Sequence, residues 1–205
     1  QTSETGTLYS VAEIKALADV AHGHGLKVHM DGARFANAVA ALGCSPAEMT
    51  NKAGIDVLSF GASKNGAFAA EAVVLFSPGL AEDFAYRRKR AGHLFSKMRF
   101  LAVQFEAYLK DGLWLKMAGH ANDCMTTLSQ GLELIDDVEV LFPAQANMLF
   151  ARLPNHMITG LRTKGFAFYD WPGPERSIIR LVTAFNTIKE DAEAFVAEAR
   201  RLSNQ

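Results

Sequence analysis

Residues 28–71 read VHMDGARFANAVAALGCSPAEMTNKAGIDVLSFGASKNGAFAAE, and this stretch decides the fold. It carries two short apolar runs, residues 26–30 (beginning just upstream) and residues 57–60, and each breaks off at a small polar cluster. Asp31-Gly32-Ala33-Arg34 follows the first; Ala62-Ser63-Lys64-Asn65-Gly66 follows the second. Open α/β sheets bind ligands just past the carboxyl ends of their strands. An acid, an arginine and a lysine at neighbouring strand ends therefore make the first candidate site.

The flanks fit an α/β layer. Ser10-Val11-Ala12-Glu13 is a capping box ahead of an apolar stripe at Val11, Ile14, Leu17, Ala18 and Ala21, with Gly23 and Gly25 as stop signals. Ser45-Pro46-Ala47-Glu48 is a second box, with proline at the first helical position. Strands are expected over residues 26–30, 55–60 and 72–76, the last apolar on both faces, in a buried sheet.

Residues 80–115 read as helical, opening on the basic run Arg87-Arg88-Lys89-Arg90, and residues 117–134 continue the pattern. The composition then changes. Residues 138–142, 147–151 and 177–182 are β-like, punctuated by Pro143, Pro154 and Pro172-Gly173-Pro174. Thr187-Ile188-Lys189-Glu190 reads as a third capping box, starting a helix with Ala194, Phe195, Ala199 and Leu202 inward. The expectation is a large α/β domain over residues 1–112 and a small α+β domain over residues 113–205. No internal repeat or low-complexity segment interrupts either.

Composition narrows the function. The chain has 205 residues, 49% hydrophobic, with 21 basic against 22 acidic side chains. That balance disfavours nucleic acid as a partner. No apolar run approaches the ~18 residues of a membrane span. Two cysteines, Cys44 and Cys124, suit a reducing cytoplasm better than a disulfide framework. No signal-like start is present. Residues 1–7 lack an initiating Met and read as a strand end running into a turn, as if the chain began partway through a domain.

Four side chains stand out. Most lysines after a strand are merely solvated, but Lys64 lies among Gly61, Ala62, Ser63, Gly66 and Ala67, which let a bulky ligand approach, and no acid adjoins it. Partial burial there would lower its pKa and make the amine a nucleophile. An Asp before Gly is usually a turn residue; beside a Schiff-base lysine, Asp31 has a second use as the partner of a pyridinium nitrogen. Arg34 lies three residues on, and arginine suits bidentate carboxylate recognition. Arg180 sits inside Ile178-Ile179-Arg180-Leu181-Val182, where an unpaired charge is costly, so it either binds a ligand or forms a structural salt bridge. His22, His24 and His29 read as structural. The six histidines form no metal-binding pattern, and neither G-x-G-x-x-G nor G-x-S-x-G occurs.

HMDGARFANA (residues 29–38) and DVLSFGASKNGA (residues 56–67) resemble the paired signatures of the low-specificity L-threonine aldolases. These are enzymes of the aspartate-aminotransferase-like fold type I that use pyridoxal 5′-phosphate (PLP). GTLYS (residues 6–10), KRAGHLFSKMRFLAVQFEAYL (residues 89–109) and RLVTAFNT (residues 180–187) extend the likeness nearly end to end. The resemblance implies that Lys64 forms the Schiff base with PLP, that Asp31 partners the pyridine nitrogen, and that Ser63 helps bind the cofactor. It implies substrate-carboxylate binding by Arg34 and Arg180, and it sets the basic run near a dimer interface. The implied reaction is cleavage of L-threonine or L-allo-threonine to glycine and acetaldehyde by a homodimer or homotetramer.

The chain matches the C-terminal part of the family's length. The phosphate-binding turn, the ring-stacking side chain and the base for the β-hydroxyl have no counterpart in it, so weak PLP binding, little turnover and uncovered apolar surface are expected. Two alternatives stay open: another fold-type-I reaction, β-elimination or transamination, or a non-catalytic dimerisation module.

Overall fold

A computed structural model describes residues 1–172 and 177–205; Gly173 and Pro174 of the proline punctuation lie outside the described residues. The chain divides into two compact units: Tyr9–Met117, and Gln1–Leu8 together with Ala118–Gln205. The first eight residues thus go with the second unit. Gly6 lies against Met148, and the Leu8 amide donates to Gln145 Oε1 at 2.7 Å.

In the first unit, α1 (Val11–Gly23) begins at the expected capping box: the Ser10 hydroxyl takes the Glu13 amide, and the Glu13 carboxylate takes that of Ser10. Only Ile14 and Ala18 of its stripe are buried; Leu17 and Val20 are exposed. β1 (His29–Gly32) follows, then α2 (Phe35–Leu42) and the short α3 (Pro46–Met49), whose Ser45 box also forms. β2 (Val57–Gly61) and β3 (Glu71–Leu75) complete a sheet of order β1-β2-β3. β1 runs parallel to β2, with Asp31 opposite Ser59, and β3 runs antiparallel to β2.

Two sequence expectations are corrected here. The first strand begins at His29 instead of residue 26, because pairing with β2 sets its limits and Leu26 is left exposed. The sheet is also not buried on both faces. The face with Leu58 and Phe60 packs on an aromatic cluster: the Phe60 ring centre lies 5.8 Å from Phe35, 6.2 Å from Tyr108 and 5.7 Å from Trp114. The face with His29, Asp31 and Val73 is exposed.

The expected helix over residues 80–115 is broken in two, α4 (Phe84–Arg90) and α5 (Arg99–Leu109). Gly92 at φ 77° ends the first after a turn, and Asp111 at φ 52° ends the second region before α6 (Leu113–Leu132). Left-handed backbone cannot continue a right-handed helix.

The second unit holds a four-stranded antiparallel sheet, order β4-β5-β7-β6, from β4 (Glu139–Val140), β5 (Met148–Arg152), β6 (Tyr169–Asp170) and β7 (Ile178–Val182). α7 (Asn155–Thr163), which the sequence reading passes over, follows β5, and α8 (Lys189–Ser203) closes the chain. Leu149, Ala151, Ile179 and Leu181 from one sheet face pack with Met125, Leu132, Met157, Leu161 and Phe195 in one core. The third capping box does not form: the Thr187 hydroxyl takes the Ala184 amide instead, and Ile188 stands at the N-cap without a side-chain bond. The inner face of α8 is Ala192, Phe195, Ala199 and Leu202; Ala194 is exposed.

Candidate active site

Asp31 and Lys64 come to the same end of the three-stranded sheet. β1 and β2 are parallel neighbours; Asp31 is the penultimate residue of one, and Lys64 lies three residues beyond Gly61, the last of the other. Two glycines lock these strand ends together. A Cβ on Gly32 would stand 2.5 Å from the Ser59 carbonyl oxygen, and one on Gly61 would stand 3.0 Å from Ala33 Cα. Backbones that meet this closely fix the Asp31–Arg34 corner against the Ser63–Asn65 turn.

The carboxylate of Asp31 is exposed, and its Oδ1 accepts the Ala33 amide at 2.9 Å. The turn role thus occupies one oxygen. On the same sheet face, His29 Nε2 lies 2.8 Å from Ser59 Oγ. Lys64 sits in a short 3-10 turn, Ser63–Asn65, and makes no ion pair among the described residues. It is exposed, so the partial burial expected from its small neighbours is not found. Small side chains clear the space around an amine, but they do not cover it.

Asn65, the next residue, is not singled out by the sequence. It is buried (3% exposed), and its amide nitrogen donates to Tyr108 Oη at 2.6 Å and to the Trp114 carbonyl at 2.8 Å. Burial pushes the Tyr108 hydroxyl up, with the Asn65 bond opposing. The lysine turn is thereby fastened to the aromatic cluster beneath it. Its far side closes through the Ala70 amide, donated to Ser63 Oγ at 3.2 Å, and through the Phe68 and Ala69 amides, both donated to Gln104 Oε1. The partners of Asn65 lie 43 and 49 residues away, which is why local sequence gives no sign of them.

The opposite end of the sheet is held by Asp56, another residue the sequence reading leaves aside. Its buried carboxylate receives the Ser77 hydroxyl at 2.7 Å, the Val28 amide at 2.9 Å and Lys27 Nζ at 3.0 Å, with His22 Nε2 at 2.8 Å. Burial works to raise its pKa, but these bonds together outweigh it and hold the carboxyl well below the usual carboxylate range.

Arg34 is the N-cap residue of α2, half-buried at the Asp31 corner. Arg180 belongs to the second unit, on the inner strand β7. No salt bridge holds it among the described residues; its guanidinium carbon lies 4.9 Å from the Tyr169 ring centre and 5.2 Å from that of Trp171. The basic run on α4 lines an open groove of about 470 Å³ with Asp83 and Tyr86. That groove shares no residue with the Asp31–Lys64 surface. Among the described residues no cluster of His, Cys, Asp and Glu suits a metal ion, and no helix is long and apolar enough to cross a membrane.

Asp31 and Lys64 thus stand at adjacent strand ends of one sheet. The profile of the beta-eliminating lyase family matches residues 1–154. The chain belongs to that family. Within it, the chain is 49% identical over 173 residues to the low specificity L-threonine aldolase of Pseudomonas sp. (strain NCIMB 10558), and 48% identical over 173 residues to that of Pseudomonas aeruginosa. Each match covers 84% of this chain and 50% of the relative, so the chain spans about half the length of the curated relatives it matches. A solved structure of Leishmania major threonine aldolase superposes with a TM-score of 0.90 at 30% identity, over 98% of this chain and 58% of that one. The aldolase resemblance drawn from the Asp31 and Lys64 motifs is therefore upheld, as is the α/β fold with its second α+β unit.

The residues present suit PLP. Among the described residues, one carboxylate oxygen of Asp31 remains for a ring N–H, Lys64 offers an unpaired amine, and Ser63 Oγ, which only accepts within the turn, keeps its proton to donate.

Proposed function

We propose that this chain carries the lysine, the ring-nitrogen carboxylate and the carboxylate-binding arginines of a PLP-dependent threonine aldolase, which cleaves L-threonine or L-allo-threonine to glycine and acetaldehyde. The observation that carries the reading is the placement of Asp31 and Lys64 at one end of two parallel strands, locked by Gly32 and Gly61. Lys64 would hold the cofactor covalently through its side-chain amine. Asp31 holds a proton-bearing ring nitrogen by hydrogen bond, and Ser63 donates its hydroxyl to the cofactor. Arg34 and Arg180 each bind the substrate carboxylate, which orients the Cα–Cβ bond for cleavage. Bound PLP supplies the sink for the electron pair which that bond leaves behind. The phosphate, ring-stacking and base roles are assigned to no residue of this chain, and turnover by the chain alone is expected to be low. The protein is further proposed to be a cytoplasmic homodimer or homotetramer, with the basic run of α4 near the interface; light scattering reads the mass directly.

Adding PLP should give an absorbance band near ~420 nm, typical of lysine-bound PLP, that borohydride fixes on the peptide containing Lys64. Labelling at another lysine would remove the site assignment. The family name favours one competing reading, β-elimination, which yields pyruvate from serine where the aldolase yields acetaldehyde from threonine; assaying both products decides between them.

A further inference from the structure

Arg180 stands in an unusual setting for a charged side chain on an inner strand. Tyr169 faces it directly across the β6–β7 pair, and Trp171, two residues on, is fixed by its amide bond to the Ile178 carbonyl at 2.9 Å. Phe150 faces Arg180 from β5 and meets Trp171 edge-on, with ring centres 4.9 Å apart. One face of the sheet thus carries an aromatic row with a single guanidinium set against two of its rings. The Nε atom is buried and has no hydrogen-bond partner among the described residues.

A carboxylate partner would have held the arginine by neutralising it and by occupying its in-plane N–H donors. Rings hold it through the face of the guanidinium, leaving charge and donors available. An arginine held in one rotamer also loses less freedom when it captures an anion.

We propose that Tyr169 and Trp171 are positioning residues that hold the Arg180 guanidinium ready for a substrate carboxylate. This rests on the reading of Arg180 as a carboxylate ligand. The Nε–H signal of Arg180, followed by NMR in the whole chain with PLP present, tests it, with glycine as the probe and ethanolamine as its carboxylate-free control. Ring currents should displace the Arg180 signal from those of the other arginines, and glycine but not ethanolamine should move it. Tyr169→Leu and Trp171→Leu should each remove part of the displacement and weaken glycine binding about three- to tenfold, the range expected for loss of one cation–π contact. Tyr169→Phe keeps a ring and should retain both. Because the Tyr169 side is largely open to solvent, its leucine variant is the one that decides if Trp171→Leu does not fold. Leucine variants that bind glycine as tightly as the wild type overturn the proposal, as does an Arg180 signal that ignores glycine altogether. A chain whose Arg180 behaves as expected while no cofactor is trapped on Lys64 instead overturns the aldolase reading and leaves the clamp standing.

Discussion

Lys64 and Asn65 are adjacent, yet their burdens differ. Lys64 makes no ion pair among the described residues, so Lys64→Arg should leave the unfolding free energy in urea unchanged to within about 0.5 kcal/mol while abolishing the borohydride-fixed adduct. Asn65→Ala should do the reverse in proportion. It strips a donor from the buried Tyr108 oxygen and from the Trp114 carbonyl, a loss of about 2 kcal/mol in urea unfolding, and it slows adduct formation by freeing the turn that presents the amine. Chemistry and anchorage are thus divided between neighbours. The sequence reading reaches the first because a lysine among small residues is a local pattern. It misses the second because an asparagine before a glycine looks like any turn, and only the distant Tyr108 and Trp114 reveal its use. The same holds for Arg180. The strand exposes its anomaly, but only the fold sets the Tyr169 and Trp171 rings against its guanidinium.

Elements were legible where their signals are local. The boxes at Ser10 and Ser45 formed as the spacing predicts, each serine hydroxyl taking the amide three residues on; Ser10→Ala should cost about 1 kcal/mol, measured by thermal unfolding. Thr187 had the same spacing, but the turn before it offers the Ala184 amide, and that bond prevailed. Strand limits were less legible, since pairing, not hydropathy, brings His29 and Asp31 into β1. The β1–β2 contact supplies a sharper test. Gly32→Ala sets a methyl against the Ser59 carbonyl, which cannot rotate away, and should cost about 2–3 kcal/mol. Gly61→Ala presses hardest on the carboxylate tip of Glu71, which can move, and should cost less.

At the scale of the whole molecule, stability should depend on acid through Asp56. Its carboxyl is held low in the folded state, so the stabilisation it gives is complete above its unfolded pKa of about 3.9 and is lost as pH falls below that value. Urea midpoints measured from neutral pH down to about pH 3 should fall steeply at the acid end for the wild type. Asp56→Asn should start lower at neutral pH and fall less. The fold class was the most legible property of all, because the order of helices and strands survives errors of two or three residues at their ends.

The Asn65 amide has one more consequence, for the ageing of the protein. Asn-Gly is the dipeptide whose amide nitrogen is most easily expelled by the following backbone nitrogen, yielding aspartate or isoaspartate. In the folded chain that amide is tied to two acceptors and shut away from water. Opening of the turn releases it. A converted residue offers an oxygen where the Trp114 carbonyl needs a hydrogen and sets a charge in a buried place, so the turn beside Lys64 cannot close again as before. Slow deamidation at this one site should therefore record, irreversibly, how often the lysine turn has come undone.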